Sequence, residues 1–271
     1  MIISYDDFQN KLNEKLSNNI ALYYELLIKI INNPYRFIGN FRVTNPKTKL
    51  IQYVTQSREI LFGNFMEDII SQYLTLMGFT QINKYVGQSS ENKPLMADQL
   101  CRDDNTIYFI EQKMRDDHDS AKKRGQFNNF KEKIEALTKS YPNKIIISVM
   151  WFIDDGLKKN KKYYNEEISK LSYQHVYLKY GKELFVDIFN RVDVWDEIIN
   201  HLEKSSSQRS EEVLQIPDMD TSSEFLDVLR HLQNDKPKLY KTLTTSNAKQ
   251  YKELRKKLFP KSCNFDQLKR L

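Results

Sequence analysis

Apolar residues recur at helical spacing in two stretches of the chain, and cap and turn residues predict two further helices. The first two are residues 20–31 and 61–77, where large apolar side chains fall on one side of the helix. Asp119 or Ser120 is expected to cap a third helix that ends near residue 140. Residues 182–202 predict a long fourth helix.

Shorter apolar stretches between these helices predict strands. Residues 84–86, 95–101 and 106–113 are rich in aromatic and aliphatic side chains, and the turn-forming residues 103–105 predict a hairpin between the last two. Residues 144–152 form an apolar run that predicts a fully buried strand, a central neighbour of residues 106–113. The order of helix, three strands, helix and strand predicts a mixed α/β fold, with helices flanking a central sheet.

Length and composition predict one large domain with a small appendage. The chain has 271 residues, of which 40% are hydrophobic, so it can bury a sizeable core. Residues 205–223 are polar enough to be a linker, which divides the chain into residues 1–204 and 224–271. The C-terminal part predicts a small basic subdomain of two or three short helices, with breaks at Pro237 and Pro260.

The charge of the chain is compatible with three classes of partner. The net charge is +6 and residues 236–271 carry eleven basic against two acidic residues, which admits nucleic acid, an acidic protein or a membrane surface. Cys101 and Cys263 are the only cysteines and have no zinc-site spacing, which fits a reducing cytoplasm. The sequence shows neither a signal peptide nor a membrane span, so we expect a cytoplasmic protein without a membrane partner.

Polar side chains at the end of the strand at residues 106–113 point to chemistry. Strand periodicity puts Glu111 and Lys113 on one face together with Ile107 and Phe109. A carboxylate and an ammonium are costly on a largely apolar strand unless they have partners, which suggests an ion and a substrate. Asp98 ends the preceding strand, and the hairpin is expected to return Glu111 beside it.

Two carboxylates that meet in this way predict a Mg²⁺ site, because Mg²⁺ takes oxygen ligands and retains waters and substrate phosphate oxygens. No small-molecule cofactor is expected beside it. Lys113 is expected to hold the attacking water or the phosphate, and Glu67 is within reach of the same metal from the helix at residues 61–77. Two alternatives stay open: the Glu111 and Lys113 pair is a solvated edge-strand device, or Glu67 is simply a surface residue.

The segment that follows Lys113 is dense in charges and amides. Basic side chains contact phosphates or guanine edges and amides read adenine, so we expect DNA-binding residues here. The candidates are Arg115, Lys122, Lys123, Arg124, Gln126 and Asn128. The alternative is that Asp116, Asp117 and Asp119 pair with these groups and fix the turn. A metal site that includes His118 ranks lower, since four consecutive residues cannot all face one ion.

These residues resemble a known class of nucleases. Asp98 followed by Glu111-Gln-Lys113 resembles the PD-(D/E)xK signature, although Ala97 stands where that signature has proline. The string at residues 115–126, with Thr55-Gln-Ser-Arg-Glu59 and Phe62-Gly-Asn, resembles type II restriction endonucleases of the TdeIII-like group. This likeness covers roughly residues 52–151. It implies a Mg²⁺-dependent homodimer that cuts short palindromic or centrally interrupted sites in double-stranded DNA.

By the same resemblance Asp98 and Glu111 are metal ligands, Lys113 is the catalytic lysine and Glu67 is an accessory acid. Two other functions remain compatible with the sequence. A structure-specific repair or junction-resolving nuclease would use the same core, and a DNA-binding protein without catalysis would use Glu111 and Lys113 only as structural residues.

Overall fold

The structure, a computed structural model, describes residues 1–16, 19–39, 44–209 and 216–270. The chain divides into two compact units. The first comprises Met1–Asn10 and Gly63–Gln208, and the second comprises Lys11–Phe62 and Arg209–Leu271. In the described part of the chain, no helix combines the length and the apolar character that crossing a membrane requires.

The first unit contains two sheets, whose strands in chain order are β1 (Thr80–Gln81), β2 (Tyr85–Gln88), β3 (Pro94–Met96), β4 (Gln99–Arg102), β5 (Thr106–Lys113), β6 (Ile145–Phe152) and β7 (Val176–Tyr180). The larger sheet has the order β1-β4-β5-β6-β7. β4 is antiparallel to β1 and β5, whereas β5, β6 and β7 are parallel. The mixed α/β fold is confirmed, and β5 and β6 are central neighbours, as predicted.

The single strand predicted at residues 95–101 is wrong, because the chain changes sheet at Asp98. β3 pairs with β2 in a separate two-stranded sheet, whereas β4 joins the larger sheet. Between them, Oδ2 of Asp98 accepts a hydrogen bond of 2.8 Å from the backbone amide of Gln112 in β5. Asp98 therefore lies just before a strand and not at the end of one. The predicted hairpin between β4 and β5 is confirmed.

The side chains of β5 alternate between two faces, and aromatic residues pack on both. On one face, the ring of Phe109 lies 5.4 Å from that of Phe130 in α5 (Ser120–Ser140). On the other face, Tyr108 lies 5.5 Å from Phe189, measured between ring centroids. Aromatic burial on both faces makes β5 a core strand, so the polar residues at its end are held on a rigid support.

The helices beside the sheet agree with the sequence in part. α5 begins at its predicted cap, where the Asp119 carboxylate accepts hydrogen bonds from the amides of Ala121 and Lys122 at 2.9 and 2.8 Å. The helix predicted at residues 61–77 is the second half of a longer helix, α4 (Pro46–Leu76). A further helix, α6 (Lys161–Ser169), lies between β6 and β7, where the sequence analysis predicted none.

The long helix predicted at residues 182–202 is wrong. Two helices, α7 (Glu183–Asp187) and α8 (Val192–Arg209), take its place. Asn190 lies between them with a φ of 51°, a left-handed conformation that cannot continue a right-handed helix. Asparagine adopts this conformation more readily than most residues, so the break has a local cause.

The second unit is helical. It contains α2 (Asn19–Asn32), α3 (Tyr35–Ile38), α9 (Ser223–Asp235), α10 (Pro237–Thr245), α11 (Lys249–Leu258) and α12 (Cys263–Lys269), with residues 46–62 of α4. α2 confirms the helix predicted at residues 20–31. The remaining helix, α1 (Tyr5–Leu16), has residues in both units.

The core of the second unit forms between α2 and α9, which places the N-terminal and C-terminal helices together. Leu26 and Ile30 of α2 and Leu229 of α9 are fully buried in one cluster. Tyr23 stacks on Phe225, with ring centroids 5.1 Å apart. Because apolar faces distant in sequence bury one another here, composition along the chain did not predict this pairing.

As far as the structure describes it, the C-terminal region has four helices where two or three were predicted. Breaks at Pro237 and Pro260 are confirmed, but the described residues beyond position 223 form four helices. The extra break follows α10, where Ser246 is extended. The Arg255 guanidinium stabilises this break by donating to the carbonyl oxygens of Leu243 and Ser246 at 2.6 and 2.7 Å. Of the expected linker, residues 210–215 lie outside the described residues, and the division at residues 204 and 223 stays a prediction.

Candidate active site

Lys113 connects the two carboxylates that the sequence predicted as neighbours. Its Nζ lies 2.8 Å from Oδ2 of Asp98 and 2.9 Å from Oε1 of Glu111. Both oxygens contact the same nitrogen, so the distance between them is smaller than the sum of these two distances. Because Mg²⁺ binds oxygens at about 2.1 Å, shared binding requires the two oxygens to lie within about 4.2 Å of each other, which this upper limit allows. These three residues are called the Asp98–Glu111–Lys113 site below.

Backbone geometry explains why these side chains meet. Glu111 and Lys113 are two residues apart on β5, so both side chains leave the same face of the strand. Asp98 approaches from the turn before β4, where the amide of Gln112 holds its carboxylate. The site therefore depends on the antiparallel pairing of β4 with β5.

The electrostatics of the site keep Lys113 charged. Burial by itself lowers the pKa of Lys113, but the negative charges of Glu111 and Asp98 outweigh that effect and raise it above the ordinary value of a lysine. The side chain is 24% exposed, so it remains open to solvent or a substrate. In this state the ammonium is a hydrogen-bond donor and carries a positive charge.

Glu67 lies close enough to the site to feel its charges. Burial, followed by the negative charge of Asp98, raises the pKa of Glu67, and Lys84 and Lys113 only partly oppose the shift. The backbone carbonyl of Glu67 accepts a hydrogen bond of 2.7 Å from Nε2 of Gln99. This contact ties α4 to the first residue of β4, directly beside Asp98.

Lys133 is a site residue that the sequence analysis missed. Its Nζ lies 2.6 Å from Oε2 of Glu111, and both side chains are buried. The available signal was a lysine on the apolar side of α5, beside Phe130 and Ile134. Helical periodicity shows that such a residue faces the core, but it does not show which partner the residue meets there.

The donor set of the site fits a divalent metal ion that is shared with a phosphate substrate. Asp98 and Glu111 provide hard carboxylate oxygens, which suit a small divalent cation. Across the described ranges, no group of three acidic, histidine or cysteine side chains forms a complete metal site. Water and substrate oxygens would therefore complete the coordination, as is usual for Mg²⁺ in enzymes that act on phosphates.

The comparisons with known proteins identify the class of enzyme. The family model described as "Type II restriction endonuclease, HinfI" matches residues 4–89 and 79–206, well over half of the chain. The chain belongs to this family. Neither a comparison with curated proteins nor one with solved structures finds a match.

Membership of the HinfI restriction endonuclease family means sequence-specific cleavage of DNA by a type II site-specific deoxyribonuclease. This family membership excludes the two alternative functions, a structure-specific repair nuclease and a DNA-binding protein without catalysis. Enzymes of this class generally use divalent metals, in agreement with the paired carboxylates. The likeness to the TdeIII-like group stays a prediction.

The turn after β5 of this restriction endonuclease is organised by Asp116. Its buried carboxylate accepts hydrogen bonds of 2.8 Å from the backbone amide and from Nδ2 of Asn160, and one of 2.9 Å from the hydroxyl of Tyr180. Asp116 thus fixes the turn through Asn160 and Tyr180. Asp119 caps α5 through its hydrogen bonds with the amides of Ala121 and Lys122.

Four of the candidate DNA-binding residues have exposed side chains. Lys122, Arg124 and Asn128 are exposed on the first turns of α5. Arg115 is also exposed, and its Nε lies 4.0 Å from Oδ2 of Asp154. All four are open to a large partner such as a DNA duplex.

The other two candidates contact tyrosines of α6. Nζ of Lys123 lies 4.5 Å from the ring centroid of Tyr163, and Oε1 of Gln126 accepts a hydrogen bond of 3.0 Å from the hydroxyl of Tyr164. Through these two tyrosines, α6 packs against α5. Lys123 and Gln126 therefore have a structural role in holding α5 and α6 together, whether or not they also contact DNA.

Proposed function

We propose that this restriction endonuclease hydrolyses phosphodiester bonds of double-stranded DNA at the Asp98–Glu111–Lys113 site, with Mg²⁺ as its cofactor. One observation carries the proposal. A single ammonium nitrogen lies within hydrogen-bond distance of a carboxylate oxygen from each of two residues, at 2.8 and 2.9 Å. The three groups sit at the end of a core strand, where unpartnered charges would be costly.

Each residue of the site has a definite role in this proposal. Asp98 and Glu111 would hold Mg²⁺, which supplies positive charge to the scissile phosphate and acidifies water when it is bound. Lys113 donates from Nζ to a phosphate oxygen or to the attacking water and orients it. As an ammonium, Lys113 also stabilises negative charge that develops on the phosphate.

Glu67 is proposed as an accessory acid beside these residues. The support is electrostatic, because the negative charge of Asp98 contributes to the raised pKa of Glu67. A carboxylate that resists ionisation in this position would become easier to ionise when a cation binds nearby.

The proposal extends to how DNA is read. Arg115, Lys122, Lys123, Arg124, Gln126 and Asn128 would include phosphate contacts and base contacts, because this segment follows Lys113 directly in the chain. Two copies of the chain would act as a homodimer, so that a two-fold axis of the protein matches that of a short palindromic or centrally interrupted site.

Digestion of a sequenced plasmid tests the activity and the metal together. We expect discrete fragments with Mg²⁺ and none with a chelator, and end sequencing should return one short symmetric sequence at every cut. Sedimentation of the protein on a duplex that contains this site should show two chains for each duplex.

The matched control is Glu111→Gln, which removes the charge of a proposed ligand and keeps its size. It should lose at least about a hundredfold in cleavage rate and retain DNA binding. Cleavage by Glu111→Gln at near the wild-type rate would show that the reaction takes place elsewhere in the protein.

A further inference from the structure

Lys133 is a lysine placed where lysines are rarely found. It lies in the middle of α5 and is only 4% exposed. Its neighbours on the helix, Phe130, Ile134 and Leu137, belong to the apolar core that packs on the sheet. Burying an ammonium there is costly unless a carboxylate compensates it, so the partner of Lys133 decides what the residue does.

That partner is Glu111, and the contact divides the two oxygens of its carboxylate. Oε2 lies 2.6 Å from Nζ of Lys133, whereas Oε1 lies 2.9 Å from Nζ of Lys113. Because the buried ammonium of Lys133 holds one oxygen of this carboxylate, the carboxylate cannot rotate freely. Oε1 is therefore kept on the side of Asp98 and Lys113.

We propose that Lys133 is a positioning residue that holds Glu111 in the orientation needed for metal binding. This inference rests on the proposed function, in which Glu111 is a ligand of the divalent metal. Lys133 holds Oε2 from the core side, and Oε1 remains available to the cation. Groups that orient metal ligands from behind typically contribute 10- to 100-fold to metal affinity or activity.

The difference in exposure between the two lysines supports separate roles. Lys113 is 24% exposed and lies between Asp98 and Glu111, so it can exchange its contacts when a cation and DNA arrive. The side chain of Lys133 is only 6% exposed and contacts Glu111 from the core side. Its contact with Glu111 can thus persist while Lys113 turns to the substrate.

Loss of Lys133 has a predictable consequence for Glu111. Without it, Oε2 would be a buried acceptor without its donor, which is unfavourable. The carboxylate would then turn toward other donors, and Oε1 would leave its place beside Asp98. A higher metal concentration would be needed to restore the productive arrangement.

The test compares Lys133→Met with a matched control on the same helix. Methionine has a similar length and no charge, so it fits the apolar surroundings. Lys131→Met is the control, because Lys131 is 49% exposed and lies 3.9 Å from Glu135, away from Glu111. Two quantities are measured: the Mg²⁺ concentration that gives half-maximal cleavage, and the binding of Mn²⁺ without DNA, followed by electron paramagnetic resonance.

We expect Lys133→Met to raise the half-maximal Mg²⁺ concentration by at least about tenfold and to weaken Mn²⁺ binding in parallel. Lys131→Met should match the wild type in both. A partly misfolded protein would lower the rate at every Mg²⁺ concentration without moving the midpoint, so the midpoint separates positioning from folding. If Lys133→Met does not fold, Lys133→Gln is judged by the same midpoint.

Two outcomes overturn different statements. A folded Lys133 variant with a wild-type Mg²⁺ midpoint, in an enzyme that Glu111→Gln inactivates, overturns the role of Lys133 and leaves the proposed function intact. Wild-type cleavage by Glu111→Gln overturns the proposed function itself, whatever Lys133 does.

Discussion

Tyr180 donates its hydroxyl proton to Oδ2 of Asp116 at a distance of 2.9 Å, and this bond ties the end of β7 to the turn that follows β5. Asn160 contributes two more hydrogen bonds to the same carboxylate. One buried acid thus holds together three segments around the start of α5. The segment expected to contact DNA is anchored at this point.

Removing the Asp116 carboxylate should destabilise the protein strongly. Asp116→Ala leaves three buried donors without an acceptor, and we expect it to lower the free energy of unfolding by about 3 kcal/mol or more. Urea denaturation measures this change. Asp117→Ala is the control, because Asp117 is exposed and its removal should cost less than about 0.5 kcal/mol. Equal stability of the two variants would contradict the anchoring role.

Lys113 should be needed for cleavage and not for binding. Lys113→Ala removes the ammonium that lies between Asp98 and Glu111, and we expect a loss of at least about a hundredfold in single-turnover rate with Mg²⁺. Asp98→Asn should behave in the same way. Affinity for the DNA site should change by no more than a few fold, measured by gel shift without metal. Lys170→Ala, an exposed lysine paired with Glu167, should leave the rate unchanged.

Glu67 should destabilise the metal-free protein at neutral pH. Burial and the charge of Asp98 raise the pKa of Glu67 in the folded state, so the folded chain holds this proton more tightly than the unfolded chain. Stability therefore falls as pH rises from the ordinary pKa of a glutamate to the raised value. Glu67→Gln removes this loss, and its melting temperature at neutral pH should exceed that of the wild type.

The same difference should disappear below the ordinary pKa of a glutamate, where Glu67 is protonated in both states. Thermal melts across this pH range test the prediction. Glu203→Gln, at an exposed position of α8, is the control that should show no such trend. A Glu67→Gln protein less stable than the wild type at neutral pH would mean that the carboxylate is stabilised by its surroundings.

The segment after Lys113 should separate into phosphate contacts and base contacts. Alanine at a phosphate contact should weaken binding to every sequence and reduce the salt slope by about one, whereas alanine at a base contact should cost about 1–3 kcal/mol at the cognate site alone. Lys123, Arg124 and Gln126 are the positions to test, with cognate and scrambled duplexes at several salt concentrations.

The structure makes these three positions informative in different ways. Arg124 is exposed, whereas Lys123 and Gln126 contact Tyr163 and Tyr164. Tyr164→Phe removes only the hydroxyl group that donates to Gln126, so this variant tests the internal contact separately. Wild-type affinity, specificity and salt slope in all three alanine variants would show that DNA is read by another part of the chain.

Local patterns were sufficient to predict the framework of the first unit. β5, β6 and α5 appear where apolar periodicity and the Asp119 cap placed them, because strand alternation, helical spacing and capping act over a few residues. The shared face of Glu111 and Lys113 has the same origin. The hairpin at residues 103–105 then determined that Asp98 would return to Glu111.

Errors occurred where a local break competed with a continuous pattern. The left-handed Asn190 divides the predicted helix at residues 182–202, and the change of sheet at Asp98 divides the predicted strand at residues 95–101. Both stretches have suitable composition throughout. In each stretch one residue interrupts the element: Asn190 through its left-handed conformation, and Asp98 through its hydrogen bond with the Gln112 amide.

The amino-acid sequence by itself determined β5, β6 and α5, the shared face of Glu111 and Lys113, and the likeness to restriction endonucleases. All of these depend on residues that are close together in the chain. The tertiary structure alone decided that Lys133 meets Glu111, that Asp116 meets Asn160 and Tyr180, and that α2 packs on α9. These partners lie far apart in the chain. Their contacts form only because burial of apolar faces brings distant elements together, and no periodicity encodes which faces will meet.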